Sequence, residues 1–221
     1  MKRPFAVFLA SSALVAVCLF LLGVAIDDWP LRMVTKAWPM LALIAWSATR
    51  TPFDLVQGGL TAGLVLGVIG DMLLEAGDST FVFGLVSFLL GHVAYIVAFS
   101  KAAARWSPLQ ALPMAAYMVT AAILLVPRLG DMRIPVVAYM GVIAVMAWRS
   151  GALAEARGGW AWLAPVGAVL FLFSDTLIAM NRFVAPIDGV RPVIILTYWA
   201  AQAAIAAAVC LPRTQITDPS A

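Results

Sequence analysis

Long apolar runs, most of them close to the length of a bilayer crossing, follow one another down this chain with only brief polar breaks between them. A spanning helix needs about 20 mostly apolar residues. Cutting at charged residues and at Pro and Gly punctuation leaves eight runs, at roughly residues 5–26, 34–48, 53–74, 80–99, 109–126, 134–148, 160–180 and 192–211. The second and sixth are short. The pattern predicts an all-α, polytopic transmembrane helix bundle of about eight spanning helices, with residues 1–221 as a single integral membrane domain and a short polar tail at 212–221. Within the third run, the stretch G-V-I-G-D-M-L-L-E at 67–75 places Asp71 where lipid is expected. An ionised side chain near the bilayer centre costs roughly 2.5–3.5 kcal/mol on insertion scales, so it asks for a reason. The figure returns in F-L-F-S-D-T-L at 171–177, around Asp175.

Composition agrees with the pattern. The chain is 64% hydrophobic and 11% charged, with a mean hydropathy of +1.00, whereas soluble domains carry about 45–50% apolar and about 25% charged residues. A net charge of +3 would suit nucleic acid if it were concentrated, but the basic residues stand singly between apolar runs, so no nucleic-acid partner is expected. They read instead as topology determinants. Lys2, Arg3, Arg50, Lys101, Arg105, Arg149, Arg157 and Arg213 fall on the face that holds the termini, and Arg32, Lys36, Arg128, Arg133, Arg182 and Arg191 on the other. The excess on the first face places both termini in the cytoplasm. Lys2 and Arg3 before an apolar run resemble a secretory leader, but that run is too long and no A-x-A site closes it, so it stays as a membrane helix.

The chemistry open to the chain is narrow. Cys18 and Cys210 lie inside the first and last runs and read as packing residues. A single histidine and the absence of any H-E-x-x-H spacing leave no ordinary zinc site, so neither a metal nor another cofactor is expected. No G-x-S-x-G elbow occurs, and Ser174 and Asp175 are helix neighbours that do not face each other. A serine nucleophile is not expected.

Chain order alone brings a polar set to one half of the membrane. Lys36 opens the second run, Asp71 closes the third, Tyr139 begins the sixth, Asp175 ends the seventh, and Tyr198 and Gln202 lie in the first half of the eighth. All these ends share one face. His92, twelve residues after Thr80, sits about 18 Å deeper at 1.5 Å per residue, as the floor of a pocket. Gly84, Phe88, Gly91, His92 and Tyr95 form one helix stripe, and Gly63, Gly67 and Gly70 another beside Asp71, where small residues allow close packing. Asp27, Asp28, Glu75 and Asp78 read as solvated helix-end acids, and the tryptophans and Tyr117 as interfacial or packing aromatics. Lys36 anchors at the interface or reaches a carboxylate. A purely structural Asp71–Lys36 pair, and a proton-coupled small-molecule or lipid transporter using the intramembrane aspartates, are the alternatives to an enzyme site.

The motifs T-K-A-W-P-M (35–40), G-D-M-L-L (70–74), the spaced set Phe81, Gly84, Phe88, His92 and Tyr95, G-A-x-L-F-x-x-S-D-x-x-I-A-x-x-R-F (167–183) and T-Y-x-x-A-Q (197–202) resemble the YhhN family of membrane proteins. That family includes the lysoplasmalogenases, and the likeness runs from about Lys36 to Gln202. It implies an eight-span hydrolase that cleaves the vinyl ether bond of a lysophospholipid-like substrate, releasing a fatty aldehyde and glycerophospho-ethanolamine or -choline. The expected location is a bacterial-type inner or plasma membrane. Vinyl ether hydrolysis wants one protonated acid, to protonate the carbon beta to oxygen, and one carboxylate, to stabilise the resulting oxocarbenium ion and activate water; paired carboxylates in different environments supply such a split. Asp71 and Asp175 fit these roles, with His92 and Tyr95 orienting water or relaying protons. Tyr139, Ser174, Tyr198 and Gln202 join Tyr95 as substrate-binding candidates, and Lys36 and Arg182 as attractors of the phosphate. Burial favours a neutral carboxyl and a nearby cation a charged one, so the aspartate nearer Lys36 is the anionic one. The sequence does not say which that is.

Overall fold

The computed structural model describes residues 3–50, 53–103 and 108–211; the polar tail expected at 212–221, together with Lys2, Arg105 and Arg213 of the charge count, lies outside them. The described residues form α-helices and short 3₁₀ turns, with no strand among them. They are α1 (Arg3–Ala25), α2 (Trp29–Lys36), α3 (Trp38–Ala48), α4 (Leu55–Ala76), α5 (Phe81–Ala102), α6 (Pro108–Leu125), α7 (Arg133–Arg157), α8 (Leu163–Phe183) and α9 (Val190–Cys210). Seven of these are long and apolar enough to cross a membrane individually. The second expected run is divided instead into α2 and α3, of 8 and 11 residues, on either side of Ala37. Ala37 keeps helical dihedrals, and Pro39, which has no N–H to give to the carbonyl one turn back, accounts for the break.

Local chemistry sets the other boundaries. Asp28 caps α2 by accepting from Leu31 N at 2.8 Å, and Asp54 caps α4 by accepting from Gln57 N at 2.8 Å, each satisfying a donor that the helix leaves open. α4 stops at Gly77, whose φ of 133° only glycine adopts easily. The sixth run, expected at 134–148, extends to Arg157 and ends at Gly158. Charge at Arg149 marked the end of the apolar pattern but not of the helix. That side chain, counted above with a loop, is buried inside α7 and gives Nε to Ser100 Oγ at 3.1 Å and Nη2 to the Ala103 carbonyl.

The most extensive helix–helix contacts are those of α4 with α5 and of α8 with α9, and α7 packs against both α5 and α8. One buried cluster draws on α1, α3, α4, α5, α7, α8 and α9, with Phe20, Met40, Leu64, Phe88, Ile143, Phe171 and Ile205 among its members. Small residues permit the approach: a Cβ on Gly167 would stand 2.6 Å from the Ala201 carbonyl oxygen of α9. α1 and α6 are the least enclosed, with Ala16, Phe20 and Gly23 buried on α1 and, among the described side chains, Ala121 and Leu125 on α6.

Candidate active site

The helix ends at 26–36, 71–81, 175–183 and 190–202 converge, and the polar residues there separate into two groups. The first surrounds the end of α4. Asp71 is 3% exposed, and its Oδ1 lies 3.9 Å from Lys36 Nζ. The same ammonium is 3.2 Å from Glu75 Oε2, one helix turn on. Glu75 also accepts from Arg32 Nε at 3.1 Å and from Arg191 Nη2, while Arg32 reaches out to Asp27 at 2.8 Å. The expectation that Glu75 is solvated is therefore corrected, because its side chain is 1% exposed and three cations enclose it. Asp27 and Asp78 do face solvent. The signal for Glu75 was present as spacing. Arg32 and Lys36 are four apart, as are Asp71 and Glu75, so each pair shares a helix face, and the two faces meet.

Next to Asp71 the glycine stripe of α4 makes room for polar side chains from α5 and α9. A Cβ on Gly63 would fall 2.2 Å from the Tyr95 ring, and one on Gly67 would fall 3.0 Å from Tyr198 Oη and 3.2 Å from Gln202 Nε2. Tyr95 donates to Gln202 Oε1 at 2.6 Å, which fixes the amide so that its Nε2 faces Gly67. Tyr198 Oη and Asp71 Oδ2 are buried and close enough to interact with each other, though neither makes a well-formed hydrogen bond among the described residues. A buried unpaired acceptor beside an unpaired hydroxyl is costly unless a ligand or water uses both.

The second group surrounds Asp175 on α8. Tyr139 of α7 donates to Asp175 Oδ2, and His92 Nε2 lies 2.9 Å from the Tyr139 oxygen. Tyr139 has one proton and gives it to Asp175, so His92 donates through Nε2; its buried Nδ1 has no hydrogen-bond partner among the described residues. Phe171 stands edge-on to His92 at 4.6 Å between ring centroids, and Phe88 and Tyr198 extend this aromatic cluster toward Asp71. Tyr117, expected as an interfacial or packing aromatic, donates to or accepts from Thr176 Oγ1 at 3.0 Å. Asp175, Tyr139, Tyr117 and Thr176 are the polar members of an otherwise apolar cavity between α5, α6, α7 and α8, lined by Leu85, Met140 and Ile143 among others.

A second, more polar cleft carries Lys36, Glu75, Asn181, Arg182 and Arg191 and shares Leu74, Phe81 and Ile178 with the apolar cavity. Arg182 lies over the Phe81 ring at 3.8 Å and pairs with Asp78 at 2.7 Å. Of the residues singled out in sequence, Tyr139 and Asp175 line the cavity and Lys36 and Arg182 the cleft, while His92 stands behind Tyr139, Asp71 beside Lys36, and Tyr95, Tyr198 and Gln202 against the glycine stripe of α4. Ser174 does not join them. Its hydroxyl donates to the Ile194 carbonyl of α9 at 2.9 Å, where it ties α8 to α9. Among the described residues, no three His, Cys, Asp or Glu side chains come together as a metal cage.

Comparisons with known proteins agree with the resemblance seen in the motifs. The YhhN family profile matches residues 31–209, which leaves out all of α1. Lysoplasmalogenase TMEM86B of Mus musculus is 31% identical over 185 residues, covering 83% of this chain and 77% of its own length. Lysoplasmalogenase TMEM86A of Homo sapiens is 35% identical over 156 residues, covering 65% and 62%. A lysoplasmalogenase of Mycobacterium tuberculosis is 36% identical over 177 residues, covering 76% and 66%. No solved structure matches.

Proposed function

We propose that this chain, which belongs to the YhhN family, is an integral membrane hydrolase that cleaves the vinyl ether bond of lysoplasmalogens to a fatty aldehyde and glycerophospho-ethanolamine or -choline. The observation that carries the reading is that two aspartates have unlike partners: Asp175, bonded by Tyr139, lines an apolar cavity, and Asp71 stands beside Lys36, which lines a cationic cleft that shares Leu74, Phe81 and Ile178 with that cavity. An alkenyl chain suits the cavity beside Asp175, and a phosphate suits the cleft of Lys36 and Arg182. The vinyl ether of a lipid placed this way lies between the two carboxyl groups.

The same placement divides the roles. Asp71 has the Lys36 ammonium beside it and takes the anionic role. Asp175 has no ion-pair partner among the described residues, receives a neutral hydrogen bond from Tyr139 on Oδ2, and takes the role of the acid through Oδ1. Asp175 transfers its proton to the vinyl carbon on the chain side, which leaves an oxocarbenium ion whose charge faces the Asp71 carboxylate. Water adds to the carbon bonded to oxygen and gives its proton to Asp71. Tyr198 Oη and Gln202 Nε2, set over Gly67, are the groups that hold that water or the ether oxygen. The hemiacetal then collapses: Asp71 returns the proton to the departing glycerol oxygen, Asp175 takes the hemiacetal hydroxyl proton, and both carboxyl groups regain their starting states. His92 and Tyr139 position Asp175, and Tyr95 positions Gln202.

The buried or membrane-embedded acids Asp71, Glu75 and Asp175 lie toward one end, which favours hydrolysis over transport, a process that needs a pathway through both halves of the membrane. Release of aldehyde from a lysoplasmalogen by purified protein in detergent tests the reading, because hydrolysis needs no sealed membrane. Absence of aldehyde from active-quality, folded protein overturns it. The excess of Lys and Arg on the face of the termini supports a cytoplasmic location for both in a bacterial-type inner membrane, with the cleft opening to the opposite side. Reporter fusions at either terminus would overturn this topology by reporting from outside the cytoplasm.

A further inference from the structure

Two groups at the mouth of the cleft have no part in the proton transfers above, namely Glu75 and Arg191. Glu75 is enclosed on its own helix end by Arg32 and Lys36, both buried. Both are shared with a second carboxylate, Arg32 with Asp27 and Lys36 with Asp71, and Glu75 also holds Arg191, whose side chain is 46% exposed and lines the cleft. This third ion pair ties an exposed guanidinium to a buried carboxylate and so fixes where Arg191 points. Arg182 is aimed in the same manner from the other side of the α8–α9 connection, by Asp78 and by the face of Phe81. A guanidinium has five N–H donors, and the contacts of Arg191 and Arg182 with Glu75 and Asp78 use one terminal nitrogen of each. Two guanidinium groups, each held by a carboxylate and lining one cleft, suit a phosphodiester, which takes paired N–H donors. No carboxylate inside the cleft is left for an ammonium, since Glu75 is occupied by its three cations.

We propose that Arg191, oriented by Glu75, is the principal phosphate-recognition residue of this cleft, and that with Arg182 it selects vinyl ethers bearing a phosphodiester head-group over the neutral alkenyl glycerol without discriminating between ethanolamine and choline. The inference rests on the vinyl ether reading above and deepens it. Glu75 is a positioning residue, acting on the lipid only through Arg191 and Lys36.

The test compares kcat/KM for alkenyl glycerol and for its phosphoethanolamine and phosphocholine derivatives, using wild-type protein, Arg191→Gln and Arg191→Lys. Wild type should favour both phosphate-bearing substrates by about tenfold or more, as expected for hydrogen bonds to a charged group, with most of the difference in KM. Arg191→Gln should shrink that ratio toward one, and Arg191→Lys should restore part of it. Equal use of all three substrates by wild type, or an equal loss on all three in Arg191→Gln, overturns the proposal. Binding of a saturated alkyl ether lysophospholipid and of the matching alkyl glycerol, read by thermal shift, keeps the two readings apart. If no substrate is cleaved, the vinyl ether reading fails, and tighter binding of the phosphate-bearing ether that weakens in Arg191→Gln still supports the phosphate site. Equal binding of the two ethers overturns that site as well.

Discussion

Asp71 and Asp175 are both acids on membrane-spanning helices, but their neighbours are of opposite kinds. Asp71 stands beside an ammonium and below a carboxylate that gathers three cations. Asp175 faces an apolar cavity and is touched by a phenol that is itself held by a buried imidazole. The difference teaches how one fold supplies two unlike carboxyl environments, which is what the proposed division of acid and base requires. Cations are brought to one through helix ends, where long side chains reach in from the membrane surface, and neutral donors to the other through the bundle interior.

The comparison breaks most decisively at the acids themselves. Asp175→Asn should lower turnover by about 10²–10⁴-fold, the range for losing a general acid, and in heavy water it should return substrate with no deuterium. Asp71→Asn should lower turnover on a similar scale but still allow protonation, so recovered substrate should gain deuterium at the vinyl carbon farther from oxygen. Mass spectrometry of recovered lipid reads the distinction. Deuterium appearing with Asp175→Asn and not with Asp71→Asn would reverse the assignment.

A smaller effect is expected from Lys36→Met. Removing the cation leaves Asp71 without its nearest counter-charge, whereas Glu75 retains Arg32 and Arg191. Turnover should fall by roughly tenfold or more, on the scale of about 1.4 kcal/mol per factor of ten, with thermal stability reduced because one partner of a buried pair is gone. Unchanged turnover would make the Asp71–Lys36 contact purely structural. Tyr139→Phe acts on the other aspartate, deleting the donor to Asp175 and the acceptor for His92 together. Its cost should be about tenfold in kcat with little change in KM, as for one buried hydrogen bond whose partners are left unsatisfied.

Much of this arrangement was legible before any coordinates. Hydropathy marked the runs because a lipid-crossing helix has few ways to be polar, and chain order alone sent Lys36, Asp71, Tyr139, Asp175 and Tyr198 to one end. For Glu75 the spacing was present, but not which elements meet it. A helix-end acid is solvated or enclosed according to what the neighbouring helices bring, and here α2 brings Arg32 and Lys36 while α9 brings Arg191. The end of α7 was misplaced for a related reason: Arg149 is satisfied inside the bundle by Ser100 and Ala103, so its charge did not stop the helix. The division at Pro39 is a backbone effect that hydropathy does not register.

The smallest predicted effect concerns the residue next to Asp175. Ser174 is one position away in sequence, but on a helix that turns it by about 100°, away from the cavity and onto the Ile194 carbonyl. If the contrast between the aspartates depends on which helix face meets which space, then the two neighbours must behave as unlike residues. Ser174→Ala removes one hydrogen bond, but the Ile194 carbonyl lies within α9 and also accepts from Thr197 Oγ1 at 3.0 Å, so no buried acceptor is orphaned. The cost should be about 0.5–1 kcal/mol of stability, seen as a small drop in the thermal midpoint, with kcat and KM unchanged. A loss of turnover comparable to that of Asp175→Asn would mean that the Ser174 face of α8 also reaches substrate, and the separation of a helix-clamping face from a reacting face would fail.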